Sequence, residues 1–232
     1  MKAIIGGTGF DRLEGLSLKK QFVETPYGGV ELFLGQGEDE GLVFLPRHGA
    51  SHGVPPHRIN YRAHALALKQ IGVVEAIAIY AVGSIDNTLE PGEVGIVRDF
   101  VDFTGRSQEH TLFDRPVTHI EVNKPFDEEL KKRMLALKPT LADAGVYVTT
   151  NGPRLETKAE IAFFKRVGFS IVGMTLASEV TVLLEVGIRT LALAYSINWA
   201  AGVVEEFSFL PDSQLEVLKT EVTQLCRSCL LS

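Results

Sequence analysis

The sequence has few residues that would bond a chain covalently or anchor it in a membrane. Two cysteines among 232 residues are too few for a disulfide framework and are typical of a protein kept in a reducing compartment. No apolar run is long enough to cross a bilayer. The N-terminal stretch MKAIIGGTGF is broken by glycines and lacks the apolar segment of a signal peptide. We therefore expect a cytoplasmic protein with no membrane partner.

Positive charge is also scarce. Lys and Arg total 23 against 29 Asp and Glu, a net charge of -6, and no basic run stands out. Nucleic acid is therefore a poor candidate for a partner. The patterns GxGxxG and GxxxxGK[ST] are absent, which argues against a Rossmann dehydrogenase and against a P-loop protein. A small anion can still bind, because backbone amides and helix N-termini need no net positive charge.

What is present is the composition of one globular domain, 45% hydrophobic and 22% charged, which we assign to residues 1–232. Apolar, β-branched runs predict strands at 2–6, 41–46, 73–82, 145–150, 169–174 and 189–197. Residues 28–35 are predicted as a hairpin partner. Amphipathic patterns predict helices at 60–72, 157–168, 178–187 and 212–231. Thr157 and Glu160 have the spacing of a capping box, and Ser178 is a suitable N-cap. The alternation predicts a layered α/β fold with a sheet flanked by helices.

Polar residues follow several of these strands. Strand 2–6 runs into a glycine-rich turn with the hydroxyl of Thr8, which can bind an anion or be only a turn. Arg47 and His48 follow strand 41–46 in LPRHGASH, where Arg offers forked donors to phosphate. The alternatives are a solvated basic loop or a metal site, although no nearby carboxylate or cysteine completes a ligand set.

The later strands end in similar groups. Small residues close to Ala81 allow a ligand to approach the backbone. Leu155 and Glu156 follow NGPR, and Glu156 can serve either a ligand or the helix dipole. Met174 and Thr175 begin GMTLASEV, where a core Met and a capping Thr are the structural alternative.

One amide and one cysteine pair complete the candidates. Asn198 ends the apolar strand in SINWAAG, where a buried strand has no need of an amide. Cys226 and Cys229 form a CxxC on the last helix, where helix packing is the favoured interpretation because no second pair or preceding strand accompanies them.

Residues 2–203 resemble the purine nucleoside phosphorylase and methylthioadenosine phosphorylase family. The resemblance rests on motifs that occur in this order along the chain: IIGGTG, RHGASH, AVGS with EPGE, NGPRLETKAE, GMTLASEV and INWAAG. The resemblance implies a three-layer phosphorylase-type α/β fold with a mixed central sheet, a homotrimer, and no metal or organic cofactor. It also implies a pentosyltransferase in which inorganic phosphate, a co-substrate, attacks C1′ of a purine nucleoside in purine salvage.

The resemblance also assigns roles to single residues. Phosphate positions are matched by Thr8, Arg47, His48, Ala81 and Thr175. Substrate positions are matched by Leu155, Glu156, Met174, Asn198 and His119, of which His119 matches a residue that enters the neighbouring subunit's site. The catalytic groups implied are Asn198, Glu156 and His48. Tyr80 departs from the family, which usually has a small or hydroxylated residue there, and Ser178 replaces a common proline.

The substrate is predicted from the types of two of these residues. Asn198 can donate to O6 of a 6-oxopurine, and Glu156 can accept from its N1–H, whereas adenine has a lone pair at N1. The apolar segment GVVEEFSFL suits a methylthio group at the 5′ position. We therefore expect S-methyl-5′-thioinosine as substrate.

Four other functions stay open at this point. They are an inosine or guanosine phosphorylase, a 5′-methylthioadenosine phosphorylase, a nucleosidase that uses water, and a non-catalytic nucleoside-binding protein. Arg47, His48 and Thr8 argue against the nucleosidase, because water needs no anion-binding group.

Overall fold

A computed structural model describes residues 1–232, apart from the side chains of Ser107 and Gln108. Its strands, β1 to β11 in chain order, are Lys2–Gly6, Leu18–Thr25, Gly28–Gly35, Leu42–Pro46, Glu75–Ser84, Val94–Ile96, Asp99–Asp102, Ala142–Asp143, Val146–Thr149, Ile171–Gly173 and Arg189–Trp199. Its helices, α1 to α6, are Tyr61–Gln70, Ser107–His110, Glu128–Leu137, Lys158–Arg166, Leu176–Glu185 and Asp212–Leu231.

The strands form a mixed sheet, as predicted. β1 lies between β4 and β5 and is parallel to both, and β11 is parallel to β5 along its whole length. The β2–β3 hairpin extends one edge through an antiparallel contact between β3 and β4. On the other side of β5, β10 pairs antiparallel with the last two residues of β5. β10 also pairs with β9, and β9 pairs with β7. The parallel strands β1, β4, β5 and β11 therefore bring their carboxyl ends to one edge, where ligands bind in open α/β sheets.

The centre of the sheet is buried on both faces. The residues of β4 and all but one of β5 are buried, and β11 is buried from Thr190 to Ser196. This explains why these segments are apolar throughout rather than alternating. Two groups of helices pack with the sheet, α1 with α5 and α3 with α6, as the layered fold requires.

One predicted helix start is wrong. The α5 helix begins after Thr175, which occupies the N-cap, and not after Ser178. Ser178 lies inside the helix, where its buried hydroxyl is 2.7 Å from Nδ1 of His110. A serine inside a helix can bond a neighbouring side chain instead of capping, and sequence alone does not separate these uses. The capping box of Thr157 and Glu160 at α4 is confirmed.

Candidate active site

The turn after β1 brings the Thr8 hydroxyl to a cavity. The backbone N–H of Arg47 donates to the carbonyl of Gly6 over 2.8 Å, which ties the turn to the end of β4. A side chain at Gly7 would collide with Nη1 of Arg47, so the close approach requires glycine. The hydroxyl of Tyr195 donates to the carbonyl of Thr8. Thr8 is held in place by its backbone, and its exposed side chain lines the cavity.

Arg47 is 1% exposed and is fixed by several contacts. Its Nε and Nη2 donate to the two carboxylate oxygens of Glu179 over 2.8 and 2.6 Å, and Nη1 donates to the carbonyl of Ile79 over 2.8 Å. Burial alone would lower the pKa of Arg47, but the Glu179 carboxylate outweighs it and raises the pKa. The guanidinium therefore stays charged, and two of its five N–H donors are left for a ligand in the cavity.

His48 supplies the neutral group of this region. Its Nδ1 lies 2.8 Å from the carbonyl of Val54. A carbonyl only accepts, so Nδ1 carries the proton and Nε2 of the neutral ring is free to accept. Burial, and next the charge of Arg47, lower the pKa of His48, which favours that neutral form near pH 7. The ring therefore offers a cavity ligand a hydrogen-bond acceptor that can also take up a proton.

The N-terminus of α5 begins at the same cavity. Thr175 lines the cavity from the N-cap, and its side chain makes no capping hydrogen bond. The partial positive charge of a helix N-terminus favours an anion there. Ala81 also lies in the wall. Arg47 and the hydroxyls of Thr8 and Thr175 can donate to a ligand in this cavity, and Nε2 of His48 can accept from it. The arrangement suits an oxyanion the size of phosphate.

A carboxylate and an amide line the same cavity. The half-buried Glu156 accepts a hydrogen bond from the Thr150 hydroxyl, which orients its carboxylate. Asn198 is 6% exposed at the end of β11, after a bulge in the pairing with β5. Its amide donates to the carbonyl of Trp199 over 2.8 Å, which leaves one N–H and the amide oxygen for a ligand. The strand end therefore presents both a donor and an acceptor.

The cavity has a volume of about 490 Å³ and collects the predicted site residues, with one exception. Those in its wall are Thr8, Arg47, His48, Ala81, Leu155, Glu156, Met174, Thr175 and Asn198. His119 is exposed on the irregular segment between α2 and α3 and is not part of the wall. Its predicted contact is with a neighbouring subunit, so it stays a prediction.

Part of the predicted apolar segment, residues 202–210, lines the cavity. Val204, Phe207 and Phe209 line the cavity, and the two phenylalanine rings meet edge to face with centroids 5.0 Å apart. Val203 and Leu210 are not in the wall. The segment therefore gives one side of the cavity an aromatic surface.

Sequence reasoning missed Glu179, the partner of Arg47, and Lys158 and Glu205 in the cavity wall. The available signal for Glu179 was its position as a single carboxylate within the apolar helical stretch LASEVTVLL. A buried carboxylate needs a partner, but nothing in the sequence shows that this partner is Arg47, which lies 132 residues away.

Other predicted features can be placed as well. Cys226 and Cys229 are free and buried on α6, in agreement with a packing role. None of the described helices combines the length and apolar character of a bilayer-crossing segment. Within the described part of the chain, no three His, Cys, Asp or Glu side chains are grouped so as to hold a metal ion.

Comparison with known proteins gives consistent matches along the chain. The sequence model of the Phosphorylase superfamily matches residues 2–230. A probable S-methyl-5′-thioinosine phosphorylase of Methanopyrus kandleri is 37% identical over 98% of this chain and 90% of that protein. A probable 6-oxopurine nucleoside phosphorylase of Thermococcus kodakarensis is 37% identical over 87% of this chain and 80% of that protein.

Solved structures agree with the sequence matches. A methylthioadenosine phosphorylase from Schistosoma mansoni in complex with adenine superimposes with a TM-score of 0.89 at 30% identity. The match covers 99% of this chain and 90% of that one.

Proposed function

Because the chain belongs to the phosphorylase superfamily, we propose that it is a pentosyltransferase that cleaves a purine nucleoside with inorganic phosphate. The observation that carries the proposal is a single cavity that holds an anion-binding group and a carboxylate–amide pair. Phosphate binds to the first and the purine to the second. Phosphate is a co-substrate, and no metal or organic cofactor enters the proposal.

Catalysis of this reaction depends mainly on how phosphate and the nucleoside are positioned relative to each other. Thr8, Arg47 and Thr175 hold phosphate so that one oxygen faces C1′ of the pentose, opposite the base. The bond from that oxygen to C1′ forms as the bond from C1′ to N9 breaks, and the bonding electrons leave with the purine. Holding both reactants in this geometry removes much of the entropic barrier. The phosphate anion also stabilises the positive charge that develops on the pentose.

The base is proposed to be a 6-oxopurine. As the bond to N9 breaks, negative charge spreads into the ring, and a donor from Asn198 at O6 or N7 strengthens with that charge. Glu156 accepts from N1–H of hypoxanthine, and the hydrogen bond from Thr150 holds its carboxylate for this contact. Against adenine, the same carboxylate would face the lone pair at N1, which is repulsive. Together the two side chains favour hypoxanthine.

The 5′ substituent is proposed to be a methylthio group. Val204, Phe207 and Phe209 offer the cavity an apolar surface, on which burying a thioether is favourable and burying a hydroxyl without a partner is costly. The name of the Methanopyrus kandleri relative supports this choice. The substrate is then S-methyl-5′-thioinosine, and the products are hypoxanthine and 5-methylthioribose-1-phosphate.

We also propose that the protein is a cytoplasmic homotrimer in which His119 enters the neighbouring subunit's site. A role in purine salvage and the two free cysteines support the location. Light scattering on the purified protein measures the molar mass: three times 25.4 kDa supports the trimer, and 25.4 kDa contradicts it.

The substrate is tested by initial rates of base release from methylthioinosine, inosine and methylthioadenosine, each with and without phosphate. We expect activity only with phosphate and the highest kcat/KM for methylthioinosine. Comparable rates on inosine would instead establish a general 6-oxopurine nucleoside phosphorylase, the activity named for the Thermococcus kodakarensis relative. A preference for methylthioadenosine would contradict the roles of Glu156 and Asn198.

The aromatic surface has its own control. Phe209→Ser should lower the ratio of methylthioinosine to inosine activity. Phe22→Ser removes a phenylalanine that is also exposed, at 59%, but lies on β2 outside the cavity, so the ratio should not change. An unchanged ratio in Phe209→Ser would contradict the assignment of the 5′ surface.

A further inference from the structure

Tyr80 lies behind the phosphate end of the cavity and not in its wall. It is 1% exposed in the middle of β5, next to Ala81, which does line the cavity. Its two contacts with polar groups both involve residues already described. The hydroxyl donates to Oε2 of Glu179 over 2.7 Å, and the ring centroid lies 4.3 Å from Cζ of Arg47.

These contacts restrain the guanidinium in two directions. The Oε2 atom of Glu179 accepts from both Nη2 of Arg47, at 2.6 Å, and the Tyr80 hydroxyl, at 2.7 Å. The hydroxyl therefore opposes rotation of the carboxylate that holds the edge of the guanidinium. The ring covers the face of the guanidinium through a cation–π contact. Tyr80 thus restrains both the edge and the face of the Arg47 guanidinium.

The hydroxyl is available for this purpose as a donor. Burial, and next the charge of Glu179, raise the pKa of Tyr80 well above its ordinary value. The phenol consequently keeps its proton near pH 7, and it donates to the carboxylate rather than competing with it.

Orientation matters here because the net charge is small. Glu179 neutralises Arg47, and His48 favours its neutral form, so these three groups together attract an anion only weakly at long range. Binding then depends on the direction of the two unpaired N–H donors of Arg47, since charge-assisted hydrogen bonds need good alignment. A guanidinium free to tilt would lose both bonds.

We propose that Tyr80 is a positioning residue that, through Glu179 and through its ring, aims the free donors of Arg47 at phosphate. The inference rests on the proposed function, because it takes phosphate as the ligand of Arg47. It predicts a defect specific to phosphate, since the hydrogen bond and the cation–π contact of Tyr80 are with Glu179 and Arg47 and not with groups assigned to the base or the pentose.

Steady-state kinetics of Tyr80→Phe test this role, with phosphate and methylthioinosine varied separately. The variant keeps the ring and removes only the hydroxyl. We expect KM for phosphate to rise about tenfold, from the loss of one hydrogen bond to a charged group, with KM for the nucleoside unchanged. Tyr61→Phe is the matched control. Tyr61 is 2% exposed and its hydroxyl has no partner in the described structure, so neither KM should move.

A phosphate KM unchanged in Tyr80→Phe, or equal rises in both KM values, would overturn the proposal. If the variant cannot be purified, Glu179→Asp is measured in the same way: it keeps the negative charge but shortens the side chain that orients Arg47, so it must also raise KM for phosphate and leave KM for the nucleoside unchanged. In the double variant the two effects should be less than additive, because both act on one contact; full additivity would contradict the coupling. Wild-type turnover without phosphate would refute the proposed function itself, whatever Tyr80→Phe shows.

Discussion

The Arg47–Glu179 pair offers a strong test of how the site is held together. Both side chains are almost fully buried, at 1% and 2% exposure, and the carboxylate accepts two hydrogen bonds from Arg47 and one from Tyr80. Glu179→Ala removes all three and leaves the guanidinium charge buried without its counter-ion. Removing one partner of a buried ion pair costs about 3–5 kcal/mol of unfolding free energy. We expect a loss in that range.

Urea unfolding followed by circular dichroism measures this free energy. The control is Glu31→Ala, which breaks the Lys20–Glu31 ion pair, whose side chains are 63% and 28% exposed. An exposed pair contributes about 0–1 kcal/mol, so the control should lose little. A loss below about 1 kcal/mol in Glu179→Ala would refute the view that this carboxylate compensates a buried charge.

A double variant separates stability from function. Replacing both partners by apolar residues, Arg47→Met with Glu179→Leu, leaves no uncompensated charge at this pair and often restores stability. We expect it to recover most of the loss measured for Glu179→Ala, yet to have no phosphate-dependent activity. Recovery of activity with stability would contradict the assignment of Arg47 to phosphate.

Three further results are expected. Asn198→Asp should lower the ratio of methylthioinosine to methylthioadenosine kcat/KM about tenfold or more, because a carboxylate repels O6. The control is Asn87→Asp, at an exposed position outside the cavity, which should leave the ratio unchanged. An unchanged ratio in Asn198→Asp would count against base recognition by the amide. Thr157→Ala should cost about 1 kcal/mol in urea unfolding, since it removes the α4 cap; no loss would mean that the cap is dispensable. Burial lowers the pKa of His64 from 6.5 to about 4 in the folded protein. As the pH drops from 6.5 towards 4, His64 is therefore protonated in the unfolded chain but not in the folded one, and the free energy of unfolding falls. His64→Asn should therefore lose less stability than wild type between pH 8 and pH 5, by about 2 kcal/mol, and equal losses would contradict the shift.

The sequence predicted those strands whose environment leaves a strong pattern. β1, β4, β5 and β11 are covered on both faces, and continuous apolar runs record that burial. The strands that it missed lack such runs. β8 has only two residues, and β2 has the exposed, charged sequence LKKQFVET. Pairing with neighbouring strands, which is not encoded locally, holds them in the sheet.

The missed helix α3 has a similar explanation. Only Leu130 and Met134 of its ten residues are buried, so its apolar periodicity is weak. Asp127, which accepts from the backbone N–H of Leu130, marks its start. Its position is set by packing against α6, a contact between residues far apart in sequence.

The candidate site was more predictable than the fold around it. Polar groups at strand ends are conspicuous because a buried strand has no use for them, as Asn198 and Arg47 illustrate. Their supports were not visible, since Glu179 and Tyr80 reach Arg47 from other elements. Sequence reasoning thus found groups assigned to the ligand and missed the buried carboxylate that holds one of them.

Phosphorus NMR during turnover of methylthioinosine distinguishes phosphate from water as the nucleophile. We expect the inorganic phosphate signal to fall as a sugar-1-phosphate signal rises, with one hypoxanthine released for each phosphate consumed. Release of hypoxanthine with an unchanged phosphate signal would contradict this expectation, because water and not phosphate would then be the nucleophile.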